Sequence, residues 1–598
     1  MANWYVKTKG ADFNAWAREL RVDPMIARLI RNRDITSIEE ARSFLYGNLQ
    51  ECHSPWLLKD MDAAVEHLIR AVTEQKKIRV IGDYDVDGIS SSYILASGIA
   101  LIGGDVDVAI PHRIHDGYGL NENLIDKAAQ DGIQLIITCD NGISAKPQIK
   151  HAKDFNIDVI VTDHHEVPYE TEGDVRREIL PEALAVVDPK REEDQYPFSG
   201  ICGAVVAYKY MQALADQLEK QEPSSQLFQK AALLKEGMEE YLEFAALATV
   251  CDVMELRDEN RIIVREGILR MRNSRNKGMK ALMDVCGISG DDLSAFHFGF
   301  VLGPCLNATG RLDNAQRALD LLNCKDYSEA VNMARELKDM NDGRKNMTLE
   351  GTERANEVIK ANHMENDKVL VVYLPTVHES LAGIIAGRIR EQYGHPAFVL
   401  TRSEDCVKGS GRSIECYHMY EALSEVSHLL KKFGGHKQAA GLSLDEENVD
   451  RLREELNANC KLSEKDFVPN VYIDMELPMS YPNLEIVEQI QVLEPFGTAN
   501  EKPLFVQRDV EFLSAKRMGS NGQFGRFQVR IPDGDKYTLI YFGDMNAFLN
   551  DLEAKYGAGS ADRLLAGGAS FAMHVVYMLS VNEYNGNRTV QYQMKYYR

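Results

Sequence analysis

The chain has 598 residues, of which 44% are hydrophobic and 27% charged. That composition suits a globular protein of roughly three to five domains and excludes a disordered or fibrous chain. A net charge of −23 excludes a uniformly basic, non-specific nucleic-acid wrapper. Ten scattered cysteines form no CxxC pair, which argues against a structural zinc module and a disulfide scaffold. With no signal-peptide pattern and no apolar run of about 18 residues, the expectation is a cytoplasmic protein without a membrane span.

In chain order, residues 1 to about 55 read as short helical pieces (AWARELRVD, PMIARLIRNR) that carry no evident chemistry. From about residue 60 apolar runs alternate with helical stretches. IRVIG (78–82), VDVAI (106–110), QLIITC (134–139), IDVIVT (157–162) and ALAVV (183–187) are the runs of buried strands. This alternation predicts an α/β fold with a doubly wound parallel sheet. Helical sequence dominates from Gly203, ending in a long polar segment expected to be a connecting helix, with Gly343 or Gly351 as a candidate break point. A second α/β unit starts at KVLVVYL (368–374). Beyond a linker at 461–469, short strand-like runs and an Asn585-Gly586 hairpin signal predict a small closed β-barrel such as an OB-fold.

The first set of strand runs ends in acidic and imidazole groups. IRVIG leads into Asp83-Tyr84-Asp85-Val86-Asp87-Gly88, QLIITC into Asp140-Asn141-Gly142, IDVIVT into Asp163-His164-His165, and ALAVV into Asp188. Asp252 follows an apolar helix. In an open parallel sheet the C-terminal strand ends share one edge, where ligands bind. One aspartate after a strand is commonly a helix N-cap, and that reading competes evenly for Asp188. Asp163 is expected to orient the histidine loop. So many carboxylates at one edge repel one another unless a cation offsets them. An oxygen-rich set with imidazole suits Mn²⁺ or Mg²⁺, and its size suits two ions, as in phosphoryl-transfer hydrolases.

GDYDVDG, CDNG, TDHH and CDVMEL, in that order, resemble the successive motifs of the DHH phosphoesterase superfamily. Within it the chain is similar to the bacterial single-strand-specific exonucleases of the RecJ family. PHRIHDGYGL (111–120), SGICGAVVAYKY, GPCLNATGRLDNA, HESLAGIIAGRI, GSGRSI (409–414), FGGHKQAAGLSL and LEPFGTANEKPLF extend the likeness from about residue 55 to the C-terminus. The resemblance implies a metal-dependent exonuclease that degrades single-stranded DNA from 5′ to 3′ in repair and recombination. Asp83, Asp85, Asp87, Asp140, His164 and Asp252 match the metal-binding positions. His165 matches the histidine that meets the scissile phosphate, with Asp163 behind it. The implied organisation is an N-terminal segment (1–55), a DHH domain (56–325), a connecting helix (326–365), a DHH-associated domain (366–460) and an OB-fold-like barrel (461–598). Cys305 and Val377 stand where many members carry Arg and Trp. A monomer is expected, with a single-strand-binding protein and a helicase as partners. The rival reading is a DHH phosphoesterase acting on short oligonucleotides or cyclic dinucleotides.

Substrate contacts are expected from Arg113, Arg311, His378, Ser410, Arg412, Ser413, Gly434, Gly435 and His436. GSGRS and GGHK have the composition of turns whose amides cradle phosphate, and Arg412 has the planar fork that grips two oxygens. The barrel strands carry aromatics on which bases can stack, among them Phe505, Phe512, Phe527, Phe542 and Tyr596, and period-2 alternation is expected to put about half of these aromatics in the core. Lys516, Arg517, Arg526 and Arg530 come nearest to a basic cluster, with a solvated face as the equal alternative.

Overall fold

The computed structural model describes residues 2–113, 117, 119–172 and 175–598. Part of the 111–120 motif (residues 114–116 and 118) therefore lies outside the described residues. The chain divides into two compact units. One comprises Met1–Glu51, Glu255–Arg257 and Pro469–Arg598; the other comprises Cys52–Met254 and Asp258–Val468.

The N-terminal segment belongs to the first unit. Strand β1 (Asn3–Val6) is followed by helices Phe13–Leu20, Pro24–Arg31 and Ile38–Tyr46. Each helix starts where its sequence provides a cap. The Asp12 carboxylate accepts from Ala15 N, Asp23 precedes a proline at the first helical position, and Ser37 and Glu40 form a capping box.

In the second unit, the strands β2 (Lys77–Ile81), β3 (Asp105–Ala109), β4 (Leu135–Cys139) and β5 (Asp158–Thr162) follow one another. Next come a small hairpin, β6 (Tyr169–Glu172) and β7 (Val175–Glu178), and strand β8 (Ala185–Val187). The five-stranded sheet has the order β3-β2-β4-β5-β8, parallel throughout. Every residue of β4 is buried, as its continuous apolar run predicts. The run at β3, expected to be buried as well, instead alternates exposed and half-buried residues, because β3 lies at the edge of the sheet. The chain leaves β2 toward β3 on one side and returns to β4 on the other. The β2 and β4 ends thus straddle the switch point at which such sheets bind ligands.

Helix Tyr327–Ala361 is one element of 35 residues, unbroken at both candidate break points, Gly343 and Gly351. A Cβ at Gly351 would stand 2.5 Å from Ile385 Cδ1, so this glycine serves close packing. Beyond it lies a mixed sheet of β9 (Leu370–Tyr373), β10 (Ala397–Arg402), β11 (Val407–Arg412), β12 (Leu430–Gly435) and β13 (Ala439–Leu444), in the order β12-β13-β11-β10-β9.

The first unit resumes with β14 (Asn470–Ile473), which pairs in parallel with β1 from Asn3↔Asn470 to Val6↔Ile473. Then come β15 (Met475–Glu476), β16 (Phe505–Met518), β17 (Phe524–Arg530), β18 (Lys536–Tyr541), β19 (Phe571–Tyr584) and β20 (Asn587–Tyr597). The order is β15-β16-β17-β18-β20-β19, and β16 also pairs with β19, so the sheet closes and its long strands have no free edge. Asn585 and Gly586 take positive φ (50° and 76°) in the hairpin turn, as their sequence predicts. Phe505, Phe512 and Phe527 are fully buried, whereas Phe542 and Tyr596 are 50% and 41% exposed. Trp16, Leu20, Ile26, Leu29 and Ile30 share the barrel's hydrophobic core. No helix among the described residues is long and apolar enough to cross a membrane.

Candidate active site

The β2 and β4 ends bring the acidic loops together. Asp85 caps helix Val86–Leu101, its Oδ1 accepting from Asp87 N (2.9 Å) and Gly88 N (3.2 Å). Gly88 is required by close approach, because a Cβ there would stand 2.4 Å from Asp83 N and O. The Asp87 oxygens accept from Gly203 N and Ala204 N, both at 2.7 Å, and so cap helix Gly203–Leu218. Asp140 has φ 58° in the turn after β4. Beside it, Asn141 Nδ2 donates to the carbonyls of Ile81 and Cys139, tying the two strand ends together.

His164 stands at the centre. Its Nε2 is 3.1 Å from Asp140 Oδ1, 3.4 Å from Asp87 Oδ2 and 3.8 Å from Asp252 Oδ2. Three groupings have ligand atoms within 4.8 Å of one another: Asp83, Asp85 and Asp140; Asp87, His164 and Asp252; and Asp140, His164 and His165. Asp163 accepts at Oδ1 from His164 N, His165 N and His165 Nδ1, and at Oδ2 from Ile143 N, so it holds the histidine loop. Asp188 is fully buried, and its Oδ1 accepts from Lys190 N.

The electrostatics call for a cation. Burial first and Asp85 second hold Asp83 well above the usual carboxylate range. Burial and the neighbouring aspartates do the same for Asp140. Asp252 is pushed up to about 8 by burial, then by Asp87 and Asp85. Burial works against charge on His165, yet its hydrogen bond to Asp163 and the surrounding carboxylates carry its pKa up to about 9. Asp83 Oδ1 is buried with no hydrogen-bond partner among the described residues. A divalent cation would satisfy that oxygen and relieve the repulsion, so the residues present fit such ions.

Within the same unit a cleft of about 510 Å³ reaches the acidic loop at Tyr84 and is lined by Arg113, Arg311, Lys408, Ser410, Arg412, Lys432 and Gly434. The Arg113 guanidinium lies 4.6 Å from the centre of the Tyr84 ring. Burial, then repulsion from Arg113 and Arg344, pushes Arg311 down to about 10. These cations are poised for an anion.

The cradle expected of GSGRS is corrected. Val407–Arg412 is strand β11, paired on both sides, and its amides belong to the ladders with β10 and β13. Its period of two turns Lys408, Ser410 and Arg412 toward the cleft. Gly409 and Gly411 instead make room for Leu400 and Phe398, which a Cβ would meet at 2.3 and 2.5 Å. Three further expected contacts stand outside the cleft lining. Ser413 is buried, its hydroxyl donating to Tyr417 O. His436 is exposed in the β12–β13 turn, outside the cleft lining. His378 caps the short turn Glu379–Leu381, its Nδ1 at 2.7 Å from Ser380 Oγ. Gly435 has φ 139° and is held against Ala439 and Ala440, so it shapes the turn. Cys305 is buried 4.0 Å from Cys286 Sγ, and Val377 packs near Gly351; neither lines the cleft. Tyr84, Asn141, Lys408 and Lys432 were missed as site residues. Tyr84 and Asn141 lie inside the acidic motifs, and the i, i+2 spacing of Lys408, Ser410 and Arg412 was the available signal for the strand.

The DHH family's N-terminal domain matches residues 77–246, the DHHA1 domain residues 366–462, and the RecJ OB domain residues 473–596. The single-stranded-DNA-specific exonuclease RecJ of Salmonella typhimurium is 32% identical over 591 residues, covering 95% of this chain and 94% of that one. The chain belongs to the RecJ family. The Bacillus subtilis RecJ is 30% identical over 597 residues, covering 99% of this chain and 70% of its own. The crystal structure of the Thermus thermophilus RecJ in complex with Mn²⁺ superposes with a TM-score of 0.79 at 26% identity, over 100% of this chain and 79% of that one. The family's domains thus account for an α/β fold with a C-terminal OB-fold.

Proposed function

We propose that this chain is a divalent-metal-dependent exonuclease that hydrolyses single-stranded DNA, working from the 5′ end. The observation that carries the reading is the buried aspartate–histidine cluster opening onto a cationic cleft. Family membership supports it, as do relatives named single-stranded-DNA-specific exonucleases and solved with Mn²⁺ or Mg²⁺. Asp83, Asp85, Asp87, Asp140, His164 and Asp252 are the groups assigned to hold the ions, probed as Mn²⁺ or Mg²⁺. Bound there, two ions would activate water and neutralise charge on the phosphoryl oxygens. Asp163 fixes His165, which supports the charge that develops on the phosphoryl group. Arg113, Arg311, Ser410 and Arg412 hold the phosphate backbone, and Arg412 with Ser410 receives the terminal 5′-phosphate. In the barrel, the opposed cations Lys516 and Arg526 and the exposed Phe542 and Tyr596 suit a strand's backbone and bases. All ten cysteines are free thiols, which suits a reducing cytoplasm.

The test is a digestion time course on 5′- and 3′-labelled single strands and on a blunt duplex, with Mn²⁺, Mg²⁺ or chelator. Metal-dependent release of 5′-terminal nucleotides from single strands is expected. Release from the 3′ end would overturn the polarity, and exclusive cleavage of dinucleotides would favour the short-oligonucleotide reading.

A further inference from the structure

Phe296 and Phe300 are 60% and 68% exposed, an unusual position for two phenylalanines. Their rings stack at 5.0 Å between centres, with an interplanar angle of 23°. They sit at the start of a continuous helical stretch: Ala295–His297, a π turn at Phe298–Leu302, then helix Gly303–Leu312. Such π turns concentrate at functional sites.

One face of this stretch packs on the residues that lead into the acidic cluster. The Phe298 carbonyl accepts from Cys251 Sγ (3.4 Å), one residue before Asp252. Gly303 makes room for the same thiol, which a Cβ would meet at 2.3 Å. The opposite face is an open stripe of Phe296, Phe300, Pro304, Asn307 and Arg311, exposed or half-buried at steps of four, four, three and four residues. Its far end is already in the site. Arg311 lines the cationic cleft, and Asn307 Oδ1 accepts from Val86 N, between Asp85 and Asp87. About 10 Å of helix separates Asn307 from Phe300, seven residues at 1.5 Å each. The stripe therefore runs from the cleft, past the acidic loop, to the stacked rings.

We propose that Phe296 and Phe300 form a stacking platform for unpaired bases of the strand just outside the acidic cluster. The inference rests on the reading of the substrate as a single-stranded polynucleotide. Ring faces accept any base, which suits an enzyme that must traverse every sequence. Two rings are far smaller than the roughly 800 Å² per partner of a stable protein interface, whereas one base covers one ring face. The platform positions the strand; the bond-breaking groups lie elsewhere.

The test uses the full-length enzyme with Mn²⁺ and single strands bearing 2-aminopurine at successive positions from the 5′ end, with phosphorothioate linkages to stop cleavage. Quenching at one or two adjacent positions is expected in the wild type. It should be lost in Phe296→Ala/Phe300→Ala and also in Phe296→Leu/Phe300→Leu, which keeps apolar bulk without a ring. On cleavable strands KM should rise roughly five- to a hundredfold, exceeding any fall in kcat. An abasic nucleotide at the quenched position should mimic the substitutions and leave the double variant no worse. Wild-type KM and quenching in the leucine pair would overturn the platform, and so would additive effects of the abasic site and the substitutions. A wild type that degrades no single strand would instead remove the substrate reading, while the quenching pattern would still decide the platform.

Discussion

Asp140 and Asp85 reach the cluster by different means, one through a positive-φ turn and the other as the cap of a helix. Asp140→Ala should abolish hydrolysis while leaving single-strand binding intact or tighter, since a negative charge near phosphate is removed. Wild-type turnover by the purified variant would remove the proposed ion-binding role. Mn²⁺ should raise the wild-type melting temperature, because a ligand that binds only the folded state stabilises it by mass action. The rise should shrink in Asp140→Ala, as followed by differential scanning fluorimetry. Asp85→Ala should lose the helix cap as well, about 1 kcal/mol of stability, so its melting temperature without metal should fall further. On the cleft's other side, Arg412→Ala removes charge-assisted bonds of about 1.5–3 kcal/mol each, roughly ten- to a hundredfold in binding. Degradation of 5′-phosphorylated strands should slow by that factor, and the preference over 5′-hydroxyl strands should shrink. Arg412→Lys should rescue only part, because an ammonium cannot grip two oxygens in one plane. Equal slowing of both strands would make Arg412 a general backbone contact.

At the scale of elements, helix Gln226–Cys251 leads to Asp252 and also buries Glu243. Burial is the first cause pushing this carboxyl up to about 7; a hydrogen bond from Ser274 Oγ opposes it. The folded pKa thus exceeds the unfolded value of 4.5. The contribution to stability is therefore complete below pH 4.5 and is lost as pH rises through 7, on the order of 3 kcal/mol in all. Glu243→Gln keeps an acceptor for Ser274 without the ionisation. Its melting temperature should lie above that of the wild type at pH 8 and close to it at pH 5. Parallel pH profiles for the two proteins would show that Glu243 stays charged in the fold.

Across the whole molecule, the N-terminal segment and the barrel fold as one unit. Cutting the chain near Leu462, which on sequence grounds removes only a binding module, would strip β1 of its partner β14 and expose Trp16, Leu20, Ile26 and Ile30. That truncation should be poorly soluble. Removing residues 1–51 as well should restore solubility and retain cleavage of short oligonucleotides. Affinity for long strands should fall and its salt dependence should flatten, by a slope of about 0.7 for each phosphate that the barrel no longer neutralises. Equal affinity and salt slope in both proteins, measured by anisotropy, would assign the barrel another role.

What the sequence determined by itself is local or periodic. Val- and Ile-rich runs mark the strands, and those of β2, β4, β5 and β8 lead into acidic groups at the sheet edge, whereas the edge strand β3 does not. For this reason the groupings of Asp83, Asp85, Asp87, Asp140, His164 and Asp252 were legible, as was the role of Asp163 behind the histidines. The Asn585-Gly586 turn was legible because its φ values belong to the residues in it. Tertiary structure decided the rest. GSGRS has the composition of a turn, but pairing on both sides makes it a strand, and its glycines answer to Phe398 and Leu400 rather than to phosphate. Ser413 and His436 flank cleft residues in sequence, yet strand pairing and the β12–β13 turn carry them out of the lining. The union of residues 1–51 with the barrel rests on pairing between positions 467 apart, such as Asn3 with Asn470. No local pattern encodes such a contact, because its free energy comes from burying two distant apolar faces against each other.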